Sequence, residues 1–193
     1  MKSAQLKNNK GGFFDGPLIL YPNIYKDQRG TFFESWNMQI FSQLINKNIN
    51  FVQDNQSISQ KGVLRGLHFQ TPPMEQGKLV RCTSGAVFDV IVDLRLRSET
   101  FSLWGGILLD SAKNNQLWIP PGFAHGFLTL ESDTIFEYKV TNYWSKENER
   151  SLLWDDSTIS VNWPEINGKI IISPKDAKAN AFEILKTNND FFK

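Results

Sequence analysis

Ala86-Val87-Phe88-Asp89-Val90-Ile91-Val92-Asp93-Leu94 is the stretch from which the fold is read. Phe88, Val90, Val92 and Leu94 alternate with Val87, Asp89, Ile91 and Asp93, which is the period of a β-strand. One face is wholly apolar. The other carries two acids in an otherwise buried pattern, and an acid on an inward face is either paired or part of a lined cavity. Similar segments rich in Val, Ile, Phe and Trp lie at 63–67, 79–83, 101–109, 116–119, 124–130, 134–141 and 151–154. Turn-forming residues separate them at the spacing of an all-β sandwich or barrel. Helical signal is sparse. Ile40, Phe41, Leu44 and Ile45 share one helical face and predict a surface helix over 37–49, and a second short helix is expected near Asp176, taking in Ala177, Ala179 and Ala181. Residues 17–33 read as an extended N-terminal arm, punctuated by Pro22 and Gly30 and standing outside the main sheet.

The bulk numbers bound the class. The 193 residues suffice for one well-packed domain, and 40% hydrophobic with 21% charged residues reads as soluble and globular. Residues 1–12 are polar and lysine-bearing and are expected to form a flexible tail, leaving 13–193 as a single domain without repeats or linkers. A net charge of +1 argues against nucleic-acid or membrane partners held by bulk charge, while leaving room for a local basic site for a small anion. The single cysteine, Cys82, has no internal disulfide partner. No apolar run is long enough to span a bilayer and no signal-peptide pattern opens the chain, so a cytoplasmic protein is expected.

Both histidines of the chain sit in crowded motifs. His68 lies in Val63-Leu64-Arg65-Gly66-Leu67-His68-Phe69-Gln70, and His125 in Pro120-Pro121-Gly122-Phe123-Ala124-His125-Gly126-Phe127. Imidazole exchanges protons near neutral pH without special help, so these two are the first candidates for chemistry. Arg65 and His68 stand three apart and would face opposite ways in a regular strand; a bulge at Gly66 would re-aim His68 into a cavity. Lys78 enters the next strand, where a lysine is ordinarily a solvated edge charge. Tyr138, in Phe136-Glu137-Tyr138-Lys139, is either packing or a general acid facing a base. Asp176, in Ser173-Pro174-Lys175-Asp176, reads as a helix N-terminus. His68, Gln70, Glu75 and His125 stand at a spacing comparable to that of metal-binding double-stranded β-helix proteins. Gln70 stands where those carry a histidine, and an amide oxygen is a weak ligand for a first-row metal, so no metal is expected.

The ordered set of segments resembles the dTDP-4-dehydrorhamnose 3,5-epimerase family. It runs from Asp27-Gln28-Arg29-Gly30-Thr31-Phe32-Phe33-Glu34 through Phe51-Val52-Gln53-Asp54-Asn55-Gln56-Ser57, the two histidine motifs, Gln76-Gly77-Lys78 and Tyr138 to Lys175-Asp176. The resemblance implies a cupin-type double-stranded β-helix, or jelly roll, with short peripheral helices and the N-terminal arm. It implies a homodimer working without cofactor on a dTDP-linked 4-keto-6-deoxysugar, in rhamnose and surface polysaccharide biosynthesis. By resemblance His68 is the base, Asp176 orients its ring, Tyr138 is the acid on the opposite face and Lys78 stabilises the enolate oxygen. Arg65 pairs with the diphosphate, Gln53 and Asn55 contact the nucleotide, and Arg29, Phe32 and Glu34 reach the partner's nucleotide. Asp89 and His125 form a supporting or sugar-contacting pair, and Lys175 joins the binding set. Two departures stand out: Trp144 follows Thr141-Asn142-Tyr143 where many members carry tyrosine, and Gln56 replaces a frequent histidine. Trp144 bears on sugar fit and on the choice between C3 and C5. A mono-epimerase on a related sugar nucleotide and a non-catalytic sugar-nucleotide-binding cupin are the alternatives.

Overall fold

The computed structural model covers residues 1–193. In chain order its elements are β1 (Lys2–Lys7), β2 (Phe13–Tyr21), β3 (Tyr25–Asp27), β4 (Gly30–Phe32), helix α1 (Met38–Ile45), β5 (Gln53–Ser59), β6 (Val63–Gln70), β7 (Lys78–Ser84) and β8 (Ala86–Asp93). There follow β9 (Trp104–Asp110), β10 (Gln116–Ile119), β11 (Phe123–Thr129), β12 (Thr134–Val140), β13 (Glu149–Ser151), β14 (Ile171–Ile172), a 3-10 helix (Asp176–Lys178) and helix α2 (Phe182–Thr187). One sheet has the order β1-β2-β10-β7-β12-β5 and the other β13-β6-β11-β8-β9, with β14 added beside β6. The two sheets make the all-β sandwich expected from the strand pattern, in the jelly-roll form that the resemblance implies. No helix is long and apolar enough to cross a membrane.

Side-chain alternation decides what lies between the sheets. On β8, Val87 and Ile91 point inward and join Phe14, Val80, Leu117, Phe123, Phe127 and Phe136 in the inter-sheet core. Val90 and Val92 point outward and are covered by Leu152, Ile159, Phe182, Leu185 and Phe191 from the C-terminal segment. Both faces of β8 are therefore buried, which is why its apolar pattern is nearly continuous. The two acids of its inner face are paired: Asp89 with His125, and Asp93 with Arg95, Ser98 and Thr100. The outer face of the first sheet is closed by α1, whose Phe41 packs on Leu20, Leu79 and Trp118.

The chain corrects several expectations. Residues 1–12 are no loose tail. Lys2–Lys7 pairs along β2, and Leu6 is buried in the inter-sheet core. The first part of the supposed arm, β2, is an interior strand between β1 and β10. Its Pro17 is tolerated because the β1 register breaks there, beside Gly16 at φ +105°. Only the β3–β4 hairpin stands apart from the main sheets. Helix α1 is shorter than predicted. Asn37 caps it through Oδ1, 3.2 Å from the Ile40 N–H, and Asn46 ends it in the left-handed region at φ +52°. The second helix starts at Asp176 as expected but is a single 3-10 turn that ends at Lys178. Ala179 and Ala181 are extended, because Asn180 pairs with the chain at Ser151 and Leu153, and α2 starts only at Phe182.

Gly66 places the site. The pairing of β11 with β6 slips between His125↔His68 and Phe127↔Arg65, so one extra residue sits on β6. Gly66 takes φ +122°, and a Cβ there would lie 2.6 Å from Gly126 Cα and 2.8 Å from His125 O. The bulge brings Arg65 and His68 to the same cavity. Gly66→Ala is expected to destabilise the fold by at least about 2 kcal/mol, through positive-φ strain and backbone clash. Urea unfolding at neutral pH checks this.

Candidate active site

Between the sheets the apolar core gives way to a polar cleft. A wider lobe of about 660 Å³ is lined by Arg65, His68, Lys78, His125, Tyr138 and Asp176 among others. A narrower one of about 310 Å³ is lined by Gln53, Gln76, Trp144 and Glu149. Asn55, His68, Lys78 and Tyr138 line both, so they stand where the lobes meet. The period-2 rule explains the convergence. Lys78 shares the inward face of β7 with Val80 and Cys82, and Tyr138 shares that of β12 with Phe136. Tyr138 lies opposite Val80 and Asn55 in register, and Val140 lies opposite Lys78 and Gln53, so Lys78 and Tyr138 are diagonal neighbours. His68 and His125 are directly paired across β6 and β11. The imidazole therefore comes from one sheet and the phenol from the other. Facing sheets stand about 10 Å apart, which leaves room for a sugar ring between them.

Asp176 holds His68. Its Oδ1 lies 2.6 Å from His68 Nε2, and its Oδ2 is 3.5 Å from the Gly66 N–H. Burial alone would raise the Asp176 carboxyl. The hydrogen bond and charge of His68, with those of Gly66 and Ser173, outweigh it and hold the carboxyl below its ordinary value. The 3-10 helix that carries it starts where Ser173 Oγ accepts the Asp176 N–H at 3.0 Å. Asp176 thus does more than open a turn. Tyr138 is the opposite case. Burial raises its phenol, with the Glu149 charge adding and Arg65 opposing, so the hydroxyl keeps its proton at neutral pH.

Lys78, Asp89 and His125 form the buried electrostatic floor. Lys78 is 8% exposed, and its one protein hydrogen bond is to His68 O at 3.4 Å, which leaves two of its three donors uncommitted. Burial pulls its pKa from 10.5 down to about 8, against the pull of Asp89 and Glu149. A lysine on this inner face is no solvated edge charge. Asp89 Oδ2 is 2.9 Å from His125 Nε2, while Asp89 Oδ1 is buried without a protein partner. Burial pushes the Asp89 carboxyl up and the His125 imidazole down, so each leans towards its neutral form.

The remaining named residues divide into those on the cleft and those off it. Arg65 stands at the mouth, Nε and Nη2 each 3.2 Å from Ser59 Oγ. Gln53 Nε2 donates to Asn55 Oδ1 at 2.7 Å on the inner side of β5. Lys175 lines the wider lobe and is bonded at 2.6 Å to Glu149, which lines the narrower. Trp144 walls the narrower lobe and is largely exposed. Arg29, Phe32 and Glu34 do not line the cleft of their own chain. Arg29 is paired with Asp27 on the β3–β4 hairpin, Phe32 projects there at 71% exposure, and Glu34 accepts from Asn37 Nδ2. Gln70, weighed as a ligand position, spends its amide on loops: it donates to Met74 O and Tyr143 O and accepts from the Ser145 N–H. Sequence reading missed Glu149, which sits in the charged run Lys146-Glu147-Asn148-Glu149-Arg150 and looks like solvated loop.

The buried ammonium has a measurable consequence. Between about pH 8 and 10.5 the unfolded chain keeps the Lys78 proton that the folded chain has lost, so folding stability rises with pH across that window. Below it both states are protonated and the full penalty applies; the drop from 10.5 to about 8 corresponds to about 3 kcal/mol. Lys78→Met is expected to raise unfolding stability at pH 7 by about 1–3 kcal/mol and to flatten the alkaline rise. Urea titrations between pH 6 and 11 read both.

Comparison with known proteins gives this geometry its context. The family model described as dTDP-4-dehydrorhamnose 3,5-epimerase matches residues 13–183. The dTDP-4-dehydrorhamnose 3,5-epimerase of Salmonella typhimurium is 53% identical over 162 residues, 84% of this chain and 88% of that one. The Escherichia coli enzyme of the same name is 50% identical over 161 residues, covering 83% and 86%. Among solved structures, the dTDP-6-deoxy-D-glucose-3,5-epimerase of Legionella pneumophila, in complex with dTDP-4-keto-L-rhamnose, superposes with a TM-score of 0.90 at 40% identity, covering 100% of this chain and 98% of that one. An epimerase structure from Mycobacterium tuberculosis reaches 0.94 at 34% identity, covering 100% and 94%. With the match extending over nearly the whole jelly roll and both walls of its cleft, the chain belongs to the dTDP-4-dehydrorhamnose 3,5-epimerase family.

Proposed function

We propose that the protein epimerises C3 and C5 of dTDP-4-keto-6-deoxy-D-glucose, the step that feeds dTDP-L-rhamnose synthesis. The observation that carries this reading is the convergence of an Asp-held imidazole and a protonated phenol, from opposite sheets, on one cleft. A 4-keto group acidifies the protons on the carbons either side of it. Inverting such a carbon requires a base on one face, an acid on the other and a donor for the enolate oxygen. His68 takes the proton. Asp176 fixes the ring and stabilises the imidazolium, as a carboxylate does behind the histidine of a hydrolytic triad. Lys78 points its uncommitted donors at the developing oxyanion, an interaction worth on the order of 3 kcal/mol. Tyr138 delivers a proton to the opposite face, and its raised pKa keeps that proton available.

The binding roles follow the same reading. Arg65 and Lys175, on the wider lobe, hold the diphosphate, for which a guanidinium fork is well shaped. Gln53 and Asn55 contact the nucleoside along β5. Asp89 and His125 support the sugar from the floor, and Trp144 bounds it from the narrower lobe. In a homodimer the β3–β4 hairpin offers Arg29, Phe32 and Glu34 to the partner's nucleotide. Exposed Phe32 and Tyr25, cross-strand neighbours on that hairpin, support this by forming one apolar patch.

Incubation with the substrate in D2O, followed by NMR, tests the chemistry. Exchange of the protons on both C3 and C5 is expected. No exchange at either carbon refutes the reading, and exchange at one carbon makes the protein a mono-epimerase. A non-catalytic cupin would bind the nucleotide without exchange. His68→Ala is expected to lower exchange at both carbons by about 10²-fold or more. Tyr138→Phe is expected to keep exchange into recovered substrate while inversion falls by a similar factor, since the base alone returns deuterium to the same face.

A further inference from the structure

We infer that Glu149 is a positioning residue for these proton transfers: anchored by Lys175, its carboxylate supplies the negative charge that Lys78 and Tyr138 meet across the narrower lobe. The inference rests on the epimerase reading of the cleft. Glu149 opens β13, in register with Gln70 and two residues from Ser151, which pairs with His68. It lines the same lobe as His68, Lys78 and Tyr138. Its carboxylate meets Lys175 Nζ at 2.6 Å, and Lys175 immediately precedes Asp176. One side chain is thereby tied to both catalytic walls: to the Asp176 turn through an ion pair, and to the Lys78–Tyr138 wall through the lobe.

The ion pair does not cancel its charge. The Lys175 side chain is 57% exposed, whereas that of Glu149 is 20% exposed. Solvent screens the outer ammonium, and the inner carboxylate acts through the low-dielectric cleft. The charged and titratable groups around Lys78 are His68 and Arg65 from β6, Asp89 from β8, His125 from β11, Tyr138 from β12, Glu149 from β13, and Lys175 and Asp176 from the C-terminal turn, Asp176 being bound to His68. Asp89 and Glu149 are the two whose charge raises the ammonium, and Asp89 is already committed to His125. Glu149 also raises the Tyr138 phenol. Its two effects have one outcome: both acids of the cleft keep their protons to higher pH.

The tether itself has alternatives, which separates the charge from the clamp. The Asp176 turn is held independently by Leu153 N–H to Asn180 O at 2.9 Å and Asn180 N–H to Ser151 O at 3.2 Å. Removing the ion pair therefore leaves the turn in place, and what Glu149→Gln chiefly removes is charge.

The test is an alkaline titration of Lys78, followed by ¹³C NMR of its ε-methylene in the unliganded full-length protein, alongside the pH profile of kcat. In Glu149→Gln both midpoints are expected to fall by about half a pH unit or more, roughly threefold in the ammonium-to-amine ratio. Glu149→Asp is expected to recover most of the shift. Lys175→Met, which breaks the same ion pair and keeps the carboxylate, is expected to raise KM without lowering either midpoint. Unmoved midpoints in Glu149→Gln, or equal downward shifts in Glu149→Gln and Lys175→Met, overturn the inference. The NMR titration needs no turnover, so an inactive wild-type protein would refute the epimerase reading while the role of Glu149 is still decided.

Discussion

Two β-sheets laid face to face must fill the space between them or line it, and this chain does both. Phe14, Leu117, Phe123 and Phe127 close the gap with apolar contacts. Other inward positions carry polar groups: His125 between Phe123 and Phe127 on β11, Asp89 between Val87 and Ile91 on β8, Lys78 on β7, Tyr138 on β12 and His68 on β6. The cleft is thus a continuation of the core with its residue types changed, and the core holds its walls at fixed spacing. Packed interiors deform little, so groups on opposite sheets are preorganised before substrate arrives. That rigidity holds the His68 imidazole and the Tyr138 phenol on opposite walls of one cleft.

The electrostatics follow from burial. An ammonium, a carboxylate and an imidazole share a floor almost without solvent, and each is pushed towards neutrality. A core of plain hydrophobes there would be more stable and would offer a ligand no buried hydrogen-bond donor. Asp176 escapes the trend because His68, Gly66 and Ser173 all favour its charged form. It is therefore the fixed charge against which the His68 ring is set. Function accounts for the polar atoms that packing alone would have rejected.

Much of this was legible in the sequence, and the illegible parts have common causes. Strand β8 was plain because both its faces are buried, and β6, β7, β11 and β12 were found by the same pattern. The Gly66 bulge was readable because Arg65 and His68 could not otherwise face one cavity. Strand β5 was missed: Gln53-Asp54-Asn55-Gln56-Ser57-Ile58-Ser59 has no apolar alternation, since its inward residues line the cleft. Strand β1 was missed because it is an edge strand with most of its side chains in water. The helix that starts at Asp176 stops after one 3-10 turn because Asn180, between two alanines of good helix propensity, is drawn into pairing with the chain at Ser151–Leu153. Glu149 gave no local signal, because its meaning comes from Lys78 and Lys175, which are distant in sequence.

Alternation of apolar side chains, two histidines in glycine-bearing motifs and an ordered set of family segments were enough to specify a jelly roll and to nominate the residues proposed for its chemistry, because strand periodicity and residue type are local properties. Which residues face one another was decided by the tertiary structure alone. The pairing of His68 with Asp176 spans 108 residues, the opposition of imidazole and phenol needs two sheets, and the shifted titration of the floor needs burial from both. Distance, dielectric and facing direction belong to the packed pair of sheets, and no window of sequence contains them.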